Sequence, residues 1–286
     1  MNDVVLKTPW SCAHGVLAQL TREALEYAQA LDVEDPCLLS VRLYFYNRVP
    51  LSNRWKRRFP ERETVARYLD LEDRGANRRL LSDSWEEVKL TSPLDVWFRW
   101  QTRCDRALKT ELRRTYKLYL SPRPESVREA FRALVDVLAD VPAHHFKIAN
   151  NAVSLLRPDK IVIYFSNFET LNEAARRIAT RLTGCPVQGV PFTAEVTQDG
   201  LLSWGIDPVP ENSPVTLREW ESWRLWITNR LAVAFLAAKG VKSKGLQPWR
   251  FALERLRLQG VDTNTWTPAE CFESIRIPLQ DNYHAY

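Results

Sequence analysis

Two short segments of the sequence place cationic and acid–base side chains at alternate positions. Lys117 and Tyr119 are two residues apart in the first segment, and His145 and Lys147 are two apart in the second. Side chains alternate across a strand, so each pair shares a face if the segments are strands. Lysine on the inner face of a sheet is costly unless it is paired or used. If both strands line one cleft, two ammonium groups, a phenol and an imidazole converge there. This pattern predicts an enzyme that acts on a phosphorylated side chain.

The sequence around these segments predicts the elements that would position them. Strands alternate with amphipathic helices, which argues for an α/β or α+β core. A later segment predicts a hairpin, because Gln198-Asp199-Gly200 separates two apolar runs. The predicted core consists of strands at 115–121, 145–149 and 160–165, helices at 125–138 and 169–182, and the hairpin at 191–204.

Outside this core the patterns are weaker. Segment 74–93 looks like a loop apart from its predicted strand, and 95–114 has too many polar breaks for an assignment. No linker is convincing, so we expect one composite domain over residues 1–286. The remaining predicted elements are helices at 17–31, 62–71, 217–239, 248–259 and 268–274 and strands at 40–47 and 86–90.

Composition limits the function classes. The chain of 286 residues has 45% hydrophobic and 26% charged residues and a formal net charge of +5. This charge suits an anionic ligand but is too weak to demand nucleic acid. The five cysteines are odd in number and form no C-x-x-C pair, which argues against a disulfide framework or a zinc site and fits a reducing cytoplasm. The sequence begins without a signal-peptide pattern, and the apolar run at 231–238 is too short to cross a bilayer, so a cytoplasmic, soluble protein is expected.

Four motifs carry a resemblance to a known family. Tyr116–Ser121 matches a W-K-x-H-x-S strand, Phe146-Lys147-Ile148 matches F-K-V, and Asp159–Tyr164 matches a G-K-x-I-T-I-Y-P strand. Gly189–Gly205 matches the hairpin that follows, whose last strand carries R-Y-G in the family. In order and spacing these motifs resemble the lyase domain of class III and IV lanthipeptide synthetases, which shares its core with bacterial phosphothreonine lyases.

The chain as a whole is more similar to the HopA-type effector family, which includes the stand-alone lyases of class V lanthipeptide clusters. Arg157–Lys160, the helix around Ser222–Ala238 and the late Gln259–Asp262 carry this similarity. The resemblance implies an α+β fold with a mixed, mostly antiparallel sheet flanked by helices. It also implies a phosphothreonine-lyase-like core at 115–209, with an N-terminal elaboration at 1–114 and a helical C-terminal part at 215–286.

The resemblance implies β-elimination of phosphate from phosphoserine or phosphothreonine in a ribosomal precursor peptide. The product is dehydroalanine or dehydrobutyrine, and the reaction needs no metal or cofactor. A separate Ser/Thr kinase would phosphorylate the peptide, and neither nucleic acid nor membrane is expected as a partner. Lys147 would be the base that takes the Cα proton. Tyr119 stands where the family has its histidine acid, and His145 is a possible substitute acid.

The phosphate-binding residues are also implied by the resemblance. Lys117 would bind the phosphate, with Arg157 and Lys160 as further contacts. The family arginine expected near the end of the hairpin is absent, and either Arg224 or Arg230 could take its role. Arginine suits this role because its guanidinium can bind phosphate through two parallel hydrogen bonds.

Plainer interpretations stand beside these. Lys147 could be an edge lysine that blocks aggregation, and Lys160 simply follows a turn. The basic stretch Arg48–Arg58 is usually a solvated face, but with Trp55 and Phe59 it could dock an acidic leader peptide or a partner kinase. Two other functions remain open: a catalytically inactive phosphopeptide-binding or effector-like protein, and a nucleic-acid-binding module that uses the basic stretch.

Overall fold

The computed structural model describes residues 15–88, 92, 95–103, 115–208, 221–240 and 247–269. It shows an α+β architecture with a seven-stranded sheet and a separate two-stranded ribbon. The sheet order is β1-β2-β4-β5-β3-β7-β6, and every pairing within it is antiparallel. The strands are β1 (Trp85–Glu87), β2 (Trp97–Thr102), β3 (Tyr116–Leu120), β4 (His145–Ala149), β5 (Ile161–Phe165), β6 (Ala194–Glu195), β7 (Leu202–Ile206), β8 (Val261–Asp262) and β9 (Thr267–Pro268).

Helices surround the sheet, and several begin at side chains that cap their first turn. The Asn167 side chain accepts a hydrogen bond from Thr170 N at 2.9 Å and so starts the eighth helix. The helices are α1 (Val16–Ala30), α2 (Pro36–Tyr44), α3 (Asn53–Arg58), α4 (Arg62–Tyr68), α5 (Ala76–Ser82), α6 (Val127–Leu138), α7 (Ala152–Leu155), α8 (Phe168–Arg181), α9 (Trp223–Gly240) and α10 (Pro248–Leu258).

The sheet has one apolar face and one polar face. Leu118, Phe146 and Ile163 point to the apolar face, where α6 and α8 cover them. Because side chains alternate, the residues between them point to the other face. Lys117 and Lys147 therefore share the polar face, as their sequence spacing predicts.

A second apolar cluster joins the helices that lie beyond the polar face. It is built from α1, α2, α9 and α10, with α9 packed against both α2 and α10. Helix α9 reaches the sheet at Gly205, where a Cβ atom would come within 2.7 Å of Trp223 Cδ1. The missing side chain lets the indole lie directly on β7.

The predicted core is confirmed in its strands, helices and hairpin, and the hairpin turns at Gly200 with φ of 77°. The predicted strand at 40–47 is wrong, because most of this segment lies in α2. Asp35 caps that helix by accepting a hydrogen bond from Cys37 N at 2.7 Å, and Pro36 occupies its first turn. Leu39 and Leu43 are buried one helical turn apart, so the apolar residues serve a helix.

Six described elements were not predicted, and α7, β8 and β9 are three of them. Helix α3 lies within the basic stretch, α5 lies in the predicted loop at 74–93, and β2 lies in the unassigned segment at 95–114. The predicted helix at 268–274 begins on β9 and continues outside the described residues, as do residues 217–220 of the predicted helix at 217–239. No helix in the described ranges combines the length and apolarity needed to cross a bilayer.

Candidate functional site

The strand register brings the candidate residues of three strands together on the polar face. Lys147 of β4 pairs with Val162 of β5, and Val162 pairs with Tyr119 of β3. Two residues further along each strand, on the same face, lies a second row of directly paired residues. This row consists of His145, Tyr164, Lys117 and Gly205.

Aromatic rings surround the Lys147 ammonium. Its Nζ lies 4.3 Å from the ring centroid of Trp97 and 5.7 Å from that of Tyr164. Among the described residues, Lys147 has no ion pair and no hydrogen-bond partner. An edge lysine in solvent would be hydrated, whereas this ammonium is held against two rings.

The pKa of Lys147 is lowered to about 8, first by burial. Arg157 and Arg99 lower the pKa further, and Asp159 and Asp207 act in the opposite direction. A lysine in water has a pKa of about 10.4 and is almost fully protonated near neutrality. With a pKa of about 8, roughly a tenth of Lys147 is a neutral amine at pH 7, and this is the form that can accept a proton.

Lys117 is paired with a carboxylate at the rim of the site. Its Nζ lies 2.5 Å from Asp207 Oδ2, and the Lys117 and Asp207 side chains are 8% and 26% exposed. The backbone N–H of Trp223 donates to Asp207 Oδ1 at 2.9 Å. A phosphate that enters the site would therefore compete with Asp207 for the Lys117 ammonium.

Asp159 is the buried acceptor that organises the arginines. Arg157 donates to both of its oxygens at 2.8 Å, and the Tyr44 hydroxyl donates to Oδ2 at 2.9 Å. Arg224 Nη1 lies 3.0 Å from the same Oδ2. Arg157, ahead of Arg224, holds the pKa of Asp159 well below its usual range despite the opposing effect of burial, so the carboxylate stays charged.

The two arginines differ in what they can offer a ligand. Arg224 is fully buried, and it also donates to Pro191 O at 3.3 Å and to Tyr44 O at 2.7 Å. Its guanidinium thus links α9 to the end of α2, to Pro191 and to Asp159. Arg157 uses Nε and Nη2, and its Nη1 has no partner among the described residues. We call Lys117, Lys147 and Arg157 the cationic cluster.

The two candidate acids on the polar face differ in protonation. Burial, and then the Asp207 carboxylate, raises the pKa of Tyr119 well above its usual value, so its hydroxyl keeps its proton. His145 stacks on Tyr164 with centroids 3.7 Å apart. Burial, followed by the Lys147 and Lys117 charges, lowers the pKa of His145 to about 3. His145 is therefore neutral near pH 7, which argues against it as the substitute acid.

Two predicted phosphate contacts lie apart from the cationic cluster. Lys160 is fully buried, and its Nζ donates to Pro122 O at 2.8 Å and to Gln188 Oε1 at 2.7 Å. The ammonium is thus buried and already bonded to two protein oxygens. Arg230 stacks over Trp226 at 3.6 Å, and its carboxylate partner is Glu221 at 3.8 Å. Of the two candidates for the missing family arginine, Arg224 shares Asp159 with Arg157, whereas Arg230 pairs with Glu221.

Sequence reasoning missed several residues of this site. Tyr164 was detectable, because it alternates with Val162 on a predicted strand. Asp159 lies in the Arg157–Lys160 motif, where a pair with Arg157 is one expectation, but its contact with Arg224 was not predicted. Trp97 and Arg99 lie on β2, which no pattern predicted. Within the described residues, no group of three or more His, Cys, Asp or Glu side chains forms a potential metal site.

No family model matches the sequence, and no curated protein matches it significantly. Solved structures similar to the chain include effector proteins and phosphothreonine lyases. The effector protein from Pseudomonas syringae pv. tomato strain DC3000 matches 87% of this chain and 97% of its own, with 12% identity and a TM-score of 0.56. That likeness shows a shared fold.

Two further structures have lower TM-scores. The effector protein from Pseudomonas syringae pv. syringae strain 61 is 14% identical, with 87% of this chain and 97% of that chain covered and a TM-score of 0.49. The type III effector/phosphothreonine lyase OspF from Shigella flexneri is 20% identical, with 42% and 69% covered and a TM-score of 0.35. The fold assignment rests on the tomato-strain effector alone.

Proposed function

We propose that the chain is a lyase that eliminates phosphate from phosphoserine or phosphothreonine in a peptide. The observation that carries this proposal is the state of Lys147. Its ammonium lies on aromatic rings without a carboxylate partner among the described residues, and its pKa is about 8. The same face carries Lys117, and Arg157 contributes to the charge around the amine.

The elimination reaction consists of two events, removal of the Cα proton and release of the phosphate. The neutral Lys147 amine takes the Cα proton, and the electrons of that C–H bond form the Cα=Cβ double bond. The Cβ–O bond breaks, and its electron pair leaves with the phosphate. Tyr119 donates its phenolic proton to the leaving oxygen, so that hydrogen phosphate and a dehydroamino acid result. Proton transfer from Lys147 back to the phenolate resets the site.

Phosphate release depends on neutralising the leaving charge. Lys117 and the free Nη1 of Arg157 provide charge-assisted hydrogen bonds to the phosphate oxygens. Arg224 acts through Asp159, whose carboxylate it helps to hold in place. The ribosomal precursor peptide and the separate Ser/Thr kinase belong to this proposal on the strength of the sequence resemblance.

The test is mass spectrometry of phosphoserine and phosphothreonine peptides incubated with the purified protein and EDTA. We expect loss of phosphoric acid and a thiol adduct when a thiol is added. Lys147→Ala should give no product, whereas Arg128→Ala, which changes an exposed residue paired with Asp70, should react normally. Intact peptides, both in this assay and after coexpression with a kinase and precursor, would overturn the proposal and favour an inactive phosphopeptide-binding protein.

A further inference from the structure

A basic surface lies on the segment from the end of α2 to the end of α3. The α3 cations are exposed, and Arg48 is half-buried. In the part of the chain that the structure describes, none of these side chains has a carboxylate partner. The basic surface consists of Arg48, Arg54, Lys56, Arg57 and Arg58.

Several other exposed arginines of the molecule are held in ion pairs. Arg128 pairs with Asp70, and Arg78 pairs with Glu87. A cluster of five cations without an ion pair among the described residues carries a positive potential. Such a potential attracts an anionic partner, so we expect the partner of this surface to be negatively charged.

The basic surface is built on a rigid aromatic base. Trp55 and Phe59 are buried and stacked, with ring centroids 6.0 Å apart. The Arg58 guanidinium lies 5.3 Å from the Phe59 centroid and 4.8 Å from that of Tyr68. Because the backbone and one guanidinium are fixed, binding an anion here orders fewer side chains than on a flexible loop.

The basic surface adjoins the cationic cluster through one ring. The Arg48 guanidinium lies 5.6 Å from the Phe45 centroid, and the Arg157 guanidinium lies 5.0 Å from the same centroid. Arg48 also donates to Val153 O at 3.1 Å, which ties it to the helix just before Arg157. A peptide whose phosphate reaches Arg157 thus has the basic surface next to it.

We propose that the basic surface binds an acidic segment that flanks the phosphorylated residue of the peptide substrate. This inference rests on the proposed function, because that function brings a phosphopeptide to Arg157. Glutamate and aspartate carboxylates match the unpaired guanidinium groups. A single exposed ion pair contributes little binding free energy, so tight binding requires a run of acidic residues.

A peptide fits the size of this surface better than a nucleic acid. The six-residue helix α3 is only about 9 Å long, which spans few phosphates of a duplex. The formal net charge of the whole chain is +5, so the positive potential is local.

The experiment compares three fluorescent phosphothreonine peptides by anisotropy in a Lys147→Ala background, which prevents turnover. One carries glutamates before the phosphothreonine, one carries them after it, and the third has glutamines at both places. We expect one glutamate peptide to bind about 10-fold more tightly than the glutamine peptide, with the difference shrinking at high salt.

Two matched variants each remove three positive charges, one from the basic surface and one from helices outside it. Arg54→Gln/Lys56→Gln/Arg57→Gln should reduce the glutamate preference to less than about 2-fold and leave the affinity for the glutamine peptide unchanged. Arg132→Gln/Arg176→Gln/Arg181→Gln changes exposed residues of α6 and α8, outside the basic surface, and should keep the full preference.

Each other outcome has a definite meaning. Equal binding of all three peptides, or a preference that survives loss of the α3 charges, would overturn the inference. Displacement by single-stranded DNA as effectively as by a glutamate peptide would show a general polyanion surface and would also overturn it. If the glutamate preference persists but a protein with Lys147 intact eliminates phosphate from none of the peptides, the proposed function fails and the acidic-segment surface stands.

Discussion

Arg99 of β2 is the direct cross-strand partner of Lys147 of β4, so two cationic side chains stand side by side on the polar face. Like charges opposite each other destabilise a sheet. The Arg99 side chain is 43% exposed and paired with Asp95, whereas the Lys147 ammonium lies against the rings of Trp97 and Tyr164. The arrangement therefore favours loss of the proton from Lys147, as a base requires.

The pH dependence of the reaction should follow Lys147. We expect kcat/KM for elimination to rise with pH and level off above about pH 8, because the neutral amine is the active form. Arg99→Gln removes one charge that lowers this pKa, so it should move the rise to higher pH. Initial rates across a pH series measure both effects, and Arg128→Gln serves as the control. An unchanged midpoint in Arg99→Gln would contradict this account.

Substitution of Lys147 should separate basicity from charge. Lys147→Ala should lower kcat by at least about 100-fold, the usual contribution of an acid–base group. Lys147→Arg keeps the positive charge but cannot release its proton, so it should be equally inactive. Both variants should still bind phosphopeptide in an anisotropy assay. Turnover by Lys147→Arg would show that the charge of Lys147 matters and its basicity does not.

Loss of Lys117 should weaken phosphopeptide binding by roughly 10- to 100-fold, because charge-assisted hydrogen bonds to the phosphate are lost. The matched control is Lys160→Met, a second buried lysine whose ammonium is enclosed by Pro122 and Gln188. Its phosphopeptide Kd should stay within about twofold of the original. Equal affinity losses in the two variants would mean that neither lysine binds phosphate specifically.

Asp159→Asn should destabilise the fold by roughly 3–5 kcal/mol, because it leaves two buried guanidinium groups without their anion. The Asp159 side chain is 4% exposed, and the Arg224 side chain is 1% exposed. Asp70→Asn breaks the more exposed pair with Arg128 and should cost less than about 1 kcal/mol. Urea unfolding of both variants gives the comparison, and similar losses would argue against Asp159 as the organising anion.

Lys160 should make stability depend on pH. Burial lowers its pKa to about 7, whereas an unfolded lysine titrates near about 10.4. Between these values the unfolded chain binds more protons, so the contribution of Lys160 to the free energy of unfolding rises with pH. The stability of the natural protein relative to Lys160→Met should therefore increase from about pH 7 to about pH 10. A constant difference across this range would show that the Lys160 pKa is not lowered.

The sequence predicts a strand where polar and apolar residues alternate or where β-branched residues form a continuous run. The strands at 115–121 and 145–149 alternate, whereas the strand at 160–165 is an unbroken run of β-branched and aromatic residues after Lys160, and all three positions are confirmed. Strand β2 has aromatic residues on both faces, because Trp97 lies on the polar side while Phe98 and Trp100 enter the core. With apolar side chains on both faces it shows no period of two.

The candidate site is predictable only in part for a similar reason. Lys117, Tyr119 and Lys147 follow from spacing along single strands. The role of Asp159 depends on its ion pair with Arg224. That arginine is distant in sequence and lies on α9, a helix of the second apolar cluster. Burial decides the protonation of His145, and no local pattern encodes burial by other elements.

The contact between Gly205 and Trp223 constrains how this sequence can diverge. Any side chain at position 205 would displace the indole, whereas a smaller residue at position 223 would leave a cavity on β7. The two positions are thus epistatic, and a substitution at one alters which residues selection can accept at the other. Among descendants of this sequence, we expect positions 205 and 223 to covary.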